Sequence, residues 1–445
     1  MQRLHRVLLG IGFMFGMAGC AQKSDVLADA VTAAVEGNQS TLAEQHLTGE
    51  DLYATVCATC HEAGVPRAPS QQMMTFIAPR ALYRALTEGV MQPMAAALTE
   101  RQKVDVVEYI TGNKLVLADA EPDITWCSGA NAGFDYRRPP RSSGWGMTHG
   151  NTREVSGELA GINRDNVGKL KLRWAVGMPD TARMRSQPMI AGGALFVGSQ
   201  GGTVYSLDMA SGCARWSFLA RSEVRTAIIV SSWEAGDDSA QPLVYFGDYL
   251  GNVYALDAIT GTLVWNARPD EHPNATISGA PALYQGTLYV PVSSLEVTSA
   301  IRSTYPCCTF RGSVVAYDAQ SGDRQWKTYT IADEPSLQGQ NKAGADQYAP
   351  SGAPVWNSPA IDVARNQLLV GTGQNYSSPA TATSDSIIAM DLGSGQVNWV
   401  FQATVGDAWN AACEMDDRKN CPEEDGPDVD FGGPPIIAST SDGRD

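Results

Sequence analysis

The sequence predicts a small all-α domain followed by an all-β propeller. Two observations carry this. Around Cys57-Ala58-Thr59-Cys60-His61, a stretch of about 65 residues alternates helical periodicity with loops bearing Gly and Pro. Beyond residue 200, a hairpin unit recurs four times in register, the signature of a radial β architecture rather than a single sheet. The 445 residues are 43% hydrophobic and 18% charged, enough to bury a core in each part and to exclude a disordered or fibrous chain. A formal charge of −16 excludes nucleic acid as a partner, because phosphate binding needs the opposite sign. His5, His46, His61, His149 and His272 are too few and too scattered for a multi-histidine zinc or copper site.

Residues 1–19 read as an export signal. Arg3, His5 and Arg6 precede an apolar run from Val7 to Ala18, too short to span a bilayer as a stable helix. The run ends Met17-Ala18-Gly19-Cys20, which resembles the bacterial lipobox and implies a lipid on the Cys20 sulfur; a plain secretory signal is the alternative. Cleavage there removes Arg3 and Arg6 and takes the formal charge to −18. Residues 20–44 then form a tether, and no other run approaches 18 apolar residues, so membrane contact is expected through lipid alone. Ala21, where an Asp would favour inner-membrane retention, points to a periplasm-facing protein anchored in the outer membrane.

Export places the other eight cysteines in an oxidising compartment, where each needs a partner. Cys57, Cys60 and His61 form the c-type haem attachment motif, in which two thioethers hold the macrocycle and the histidine reaches iron. Leu52 to Val56 leads into it as a helical turn or two, and Ala81 to Glu88 reads as a helix. Thr99 with Gln102 makes a capping box for a last helix carrying Val104, Val107 and Ile110 on one face. Residues 45–115 therefore resemble a class I cytochrome c, which implies haem c with a methionine as sixth ligand. Met73, Met74, Met91 and Met94 compete. Met91 stands seven residues before Leu98, the spacing the resemblance implies, whereas Met94 stands four before it. Met91 is the expected ligand, and the others would pack at the haem edge.

Residues 116–140, with Pro122, Pro139 and Pro140, read as a linker. The repeat follows. Gly202-Thr-Val-Tyr-Ser-Leu-Asp208 leads to Gly212 and Trp216, and Gly251-Asn-Val-Tyr-Ala-Leu-Asp257 to Gly261 and Trp265. Gly312-Ser-Val-Val-Ala-Tyr-Asp318 leads to Gly322 and Trp326, and Asp385-Ser-Ile-Ile-Ala-Met-Asp391 to Gly395 and Trp399. Each copy is an alternating strand, an Asp-x-x-x-Gly turn and a second strand ending in Trp. The tryptophans lie 49, 61 and 73 residues apart, room for a four-stranded blade with growing loops.

Residues 141–445 resemble the quinoprotein dehydrogenase propeller, and with the haem domain the chain resembles its polyvinyl alcohol dehydrogenase branch. The resemblance implies an eight-bladed ring holding pyrroloquinoline quinone (PQQ) on its axis. Four repeats and the start of a fifth, at Pro434-Pro435-Ile436-Ile437-Ala438, do not close such a ring, so a truncated chain or fragment is expected. The resemblance assigns Trp356 to stacking on the quinone, with propeller core as the alternative, and Arg225 to its carboxylates. Glu296 and Asn375, with Gln374 as rival, become calcium ligands, hard oxygen donors of the kind calcium prefers. In relatives an adjacent disulfide presses on the cofactor; Cys307-Cys308 matches it but follows Glu296 instead of preceding the arginine, and bridges to distant cysteines stay open. Cys413 and Cys421, eight apart in a polar loop, are expected to bridge, leaving Cys127 with Cys213.

The family's Asp-x-Trp-Asp motif supplies the base that takes the alcohol proton. Here it reads Asp407-Ala408-Trp409-Asn410, and a neutral amide has no useful proton affinity, so Asp407 is the expected catalytic residue. The function these residues predict is oxidation of a secondary alcohol or polyol with PQQ. Electrons would pass one at a time to the chain's own haem, then to an acceptor of the respiratory chain. The alternative is a propeller lipoprotein of the outer-membrane assembly type, acting as a protein-binding scaffold or an electron relay.

Overall fold

The computed structural model describes residues 47–62, 65, 68–116, 124–179 and 181–438; Cys20 and the export signal lie outside them. Thr48, Ser70 and Thr99 each take an extended conformation and accept a backbone N–H of the turn that follows, so helices begin where these side chains stand. Helix α1 (Gly49–Leu52) passes through a π turn at Tyr53–Cys57 into α2 (Ala58–His61), and α3 (Gln71–Met74), α4 (Pro79–Thr87) and α5 (Glu100–Thr111) follow. The Thr99–Gln102 capping box is present, and Gly112 closes α5 in the left-handed region. Val106, Val107 and Ile110 form its buried face, with Val104 only half-buried. Among the described residues no helix is long and apolar enough to cross a membrane.

Four antiparallel sheets follow. The first holds β1 (Met189–Ala191), β2 (Ala194–Gly198), β3 (Thr203–Asp208) and β4 (Ala214–Leu219). The second holds β5 (Ile229–Val230), β6 (Leu243–Gly247), β7 (Val253–Asp257) and β8 (Leu263–Ala267). In the third, β9 (Ala275–Thr276) adds to β10 (Ala282–Tyr284), β11 (Thr287–Ser294), β12 (Ser313–Asp318) and β13 (Arg324–Tyr329). A separate hairpin, β14 (Ser336–Gln340) with β15 (Asp346–Ala349), precedes the fourth sheet of β16 (Ala360–Asp362), β17 (Gln367–Gly371), β18 (Ser386–Asp391) and β19 (Val397–Gln402). Central strands such as β6 are buried at every residue, because neighbouring sheets cover both faces.

The repeat works as a lock between blades. Each Asp-x-x-x-Gly turn closes with the Gly N–H on the Asp carbonyl, at 2.8–2.9 Å. The glycines take positive φ, and a Cβ on Gly261, Gly322 or Gly395 would collide with the Trp ring of the preceding blade. Each of these indole N–H groups donates to the residue after the turn's Asp: Trp216 to Ala258, Trp265 to Ala319, Trp326 to Leu392. Trp174 locks onto the first blade in the same way, through Met209 and Gly212. Trp399, at the end of the series, stands 42% exposed.

Antiparallel order puts the Asp-x-x-x-Gly turns at one end of every sheet and the longer loops at the other. Arg225, Glu296, Cys307, Cys308, Trp356, Asn375 and Asp407 all fall in segments of that second, loop end. The helical domain meets the same end: Glu62 pairs with Arg302, Phe76 lies edge-on to Tyr249 at 4.9 Å, and Leu250 packs on the helical core. Residues 124–140, expected as linker, are instead fastened to the first blade by the Cys127–Cys213 disulfide, the Trp126–Ala214 bridge and Phe134 over Gly192. Residues 434–438 form no strand; Ile437 donates its N–H to Gly150, and the two prolines have none to offer a neighbouring strand.

Candidate functional site

The haem motif sits where the π turn meets α2, with Cys57 half-buried and Cys60 exposed. Burial pushes the Cys57 thiol up to about 11. His61 Nδ1 lies 2.6 Å from the Pro69 carbonyl, which can only accept, so Nδ1 carries the proton and Nε2 keeps its lone pair for a metal. Met91 packs on the same apolar cluster as Cys57, while Met94 is 54% exposed and Met73 and Met74 are buried. This donor set fits a covalent haem.

Arg225 belongs to a cluster that the sequence reading saw only in part. Its guanidinium donates to Glu223 at 2.7 Å and lies 3.6 Å over the Tyr249 ring; Arg185 and Arg183 approach the same carboxylate at 3.6 and 3.9 Å. Three guanidinium groups face one buried carboxylate, and the buried Nε of Arg225 has no partner among the described residues. Such an excess of positive charge with an unused donor fits a ligand carrying carboxylates.

Glu296 is wholly buried and closed in. Its oxygens accept from the N–H groups of Thr309 and Phe310 at 2.8–3.1 Å and from Tyr305 Oη at 3.0 Å, with His272 Nε2 at 3.3 Å. Asn274 donates to His272 Nδ1, so Nε2 bears the hydrogen. Burial opposes the charge, yet His272 and these N–H donors outweigh it and hold the carboxyl below its usual range. Next to this clasp Cys307 and Cys308 form a buried disulfide packed among Phe310, Tyr376 and Ala412. Asn410 turns inward beside it, capping residues 411–414 and donating to the carbonyls of Tyr376 and Asn420. Cys413 and Cys421 are bridged, so among the described cysteines only Cys57 and Cys60 are free.

Trp356, Asn375 and Asp407 converge elsewhere on the loop end. Asn375 exchanges backbone bonds with Asp407 and Trp409, while its side-chain carbonyl accepts from Thr381 N–H and Oγ1 at 2.7 and 3.0 Å. Trp356 is 37% exposed and packs against Gly432, and its indole reaches Asp430. Asp430 is tucked against Gly373 and accepts from Gln374 N–H. Desolvation first, then the Asp428 and Asp407 charges, raise it to about 6. Asp407 is buried, with Oδ2 held by Val429 N–H and Oδ1 closed over by Gly426. Asp385 faces it within hydrogen-bonding reach and is raised to about 8, by burial first and then by Asp407. Asp430 lies in no sequence motif, and Asp385 enters the sequence only as the first residue of the fourth repeat copy; their importance depends on what folds against them.

A helical domain with a metal-ready histidine directly after two free cysteines, docked on the loop end of a Trp-locked β fold, defines a haem-type domain joined to a propeller. Residues 144–415 match the β-propeller domain of glucose, ethanol and alcohol dehydrogenases, the PQQ family, and residues 44–110 match cbb3-type cytochrome c oxidase subunit III. The chain belongs to this PQQ dehydrogenase propeller family. It is 33% identical over 430 residues to a polyvinylalcohol dehydrogenase of Pseudomonas sp., covering 93% of this chain and 66% of that one. With the polyvinylalcohol dehydrogenase of Sphingopyxis sp. strain 113P3 it shares 32% over 418 residues, covering 90% and 63%. The chain thus spans just under two thirds of these relatives. The quinohemoprotein alcohol dehydrogenase structure from Comamonas testosteroni aligns with a TM-score of 0.49 at 23% identity, covering 70% of this chain and 45% of that one.

Proposed function

We propose that the chain carries the haem domain and four blades of a PQQ-dependent alcohol dehydrogenase. In this reading it oxidises secondary alcohols or polyols, polyvinyl alcohol among them, and hands the electrons to its own haem. The observation that carries the proposal is the Glu223 cluster, whose buried Arg225 Nε lacks a partner on the same end of the fold as the half-open Trp356 indole. Bound PQQ supplies an orthoquinone that accepts two electrons, and haem c takes them singly.

The chain's own residues then have separable roles. Arg225, Arg183 and Arg185 hold carboxylates, and Trp356 offers a flat wall. Asp430 accepts the alcohol proton: raised to about 6, it is mostly ionised at neutral pH and basic enough to serve. We prefer it to Asp407, whose carboxylate is buried behind Gly426 and Val429. Cys57 and Cys60 would anchor the haem, and His61 and Met91 would ligate its iron. Glu296 and Asn375, the expected calcium ligands, already have their oxygens occupied by protein donors and do not fit a cation as they stand, so no step runs through calcium there. The proposal includes a periplasm-facing protein lipid-anchored at Cys20 in the outer membrane, with a respiratory-chain acceptor downstream.

The test is reconstitution of the purified protein with PQQ and calcium, following haem reduction on adding a secondary alcohol and PQQ binding by fluorescence. Arg225→Ala should weaken PQQ binding about tenfold or more. Asp430→Asn should leave PQQ bound and abolish alcohol-dependent haem reduction. If Asp430→Asn turns over while Asp407→Asn does not, the base is Asp407. If the wild type neither binds PQQ nor reduces its haem, the scaffold reading replaces this one.

A further inference from the structure

We propose that Asp385 and Asp407 bind a divalent cation of the calcium type, at a position separate from the Glu296–Asn375 pair and independent of the quinone. Both residues are at most 1% exposed, and with both carboxyls ionised the two oxygens of Asp385 and Oδ1 of Asp407 are buried with no hydrogen-bond donor among the described residues. Buried carboxylate oxygens without donors are costly, and native proteins normally satisfy them with a donor, water or an ion. Only Oδ2 of Asp407 has a partner, the Val429 N–H at 2.9 Å.

The two carboxyls face each other across hydrogen-bonding distance, so their unused oxygens converge. A shared proton would relieve two of the three orphan oxygens and leave one stranded. A cation that gathers about six to eight oxygen ligands takes all three, and its two charges match two carboxylates. The donors are hard oxygens with no histidine or thiolate among them, which favours calcium over zinc or copper. Asp428 and Asp430 add negative potential, being close enough to raise Asp385 themselves, while Gln374 engages both and keeps them at the rim. By contrast, the Glu296 carboxylate has donors on both oxygens and nothing left to offer.

The test uses the full chain after chelation, with calcium alone as ligand, followed by titration calorimetry and by thermal unfolding with and without the ion. Asp385→Asn and Asp407→Asn should each remove one calcium site, or weaken it about tenfold or more. Glu296→Gln should retain it. A second measurement separates lost binding from misfolding: metal-free Asp385→Asn should unfold at a higher temperature than metal-free wild type at alkaline pH, and calcium should no longer raise it. The proposal is overturned if the wild type binds no calcium, if Asp385→Asn binds as wild type does, or if Glu296→Gln alone loses the site.

Discussion

Two carboxylates on the loop end of the propeller are buried to the same degree and treated in opposite ways. Glu296 lies in a clasp of two backbone N–H groups, a phenol and an imidazole, and its carboxyl is held below the usual range. Asp385 meets another carboxylate instead of donors and is pushed up to about 8. Burial penalises the charged form in both; the direction is decided by what lies within about 3 Å of the oxygens. A buried acid with donors is a structural tie, and one without them is a vacancy for a proton or a cation.

The comparison breaks most sharply at Glu296. Replacing it with alanine strands the N–H groups of Thr309 and Phe310 and should destabilise the chain by about 3 kcal/mol or more, read by denaturant unfolding. A neutral result would mean that water replaces the clasp.

Next in size is the effect of pH. Glu296 contributes stability that is present above the ordinary Glu range and is lost as pH falls through its depressed value. For Asp385 the folded state holds the proton more tightly than the unfolded one, so metal-free stability should fall as pH rises from about 4 towards about 8. Asp385→Asn should flatten the alkaline limb of a melting-temperature profile and leave the acid limb in place. An unchanged alkaline limb would show that the two carboxyls do not interact.

Smaller effects sharpen the picture of the clasp. Tyr305→Phe removes one donor of several to Glu296 and should cost about 1 kcal/mol. Arg302→Ala breaks the pair with Glu62, which is partly exposed, and should change global stability by less than about 1 kcal/mol. It should still loosen the helical domain from the loop end, visible as faster hydrogen exchange around Phe76 and Tyr249. No change in exchange would mean that the apolar contacts at Phe76 and Leu250 hold the two parts without it.

Much of this molecule is written in short-range patterns. Cys57, Cys60 and His61 fall within one helical turn and a half, the Thr99–Gln102 box closes over three residues, and each Asp-x-x-x-Gly turn bonds within four. Local geometry follows from local sequence, so the helical domain, the four hairpins and the paired Cys413–Cys421 were legible. The lock of each Trp on the next blade was visible only as a period, although Trp174, 42 residues before Trp216, carries the same signal.

The sequence by itself determined the two domains, the Cys57–Cys60–His61 triad and the repeat that builds the blades. Only the tertiary structure decided which buried oxygens receive donors. Glu296 is satisfied by residues 309 and 310, Oδ2 of Asp407 by residue 429, and Gln374 engages residues 428 and 430, while among the described residues only a second carboxyl reaches the Asp385 carboxylate. Such bonds span loops whose course depends on how neighbouring blades pack, and a carboxylate's spacing in the chain carries no record of the donor that folds against it.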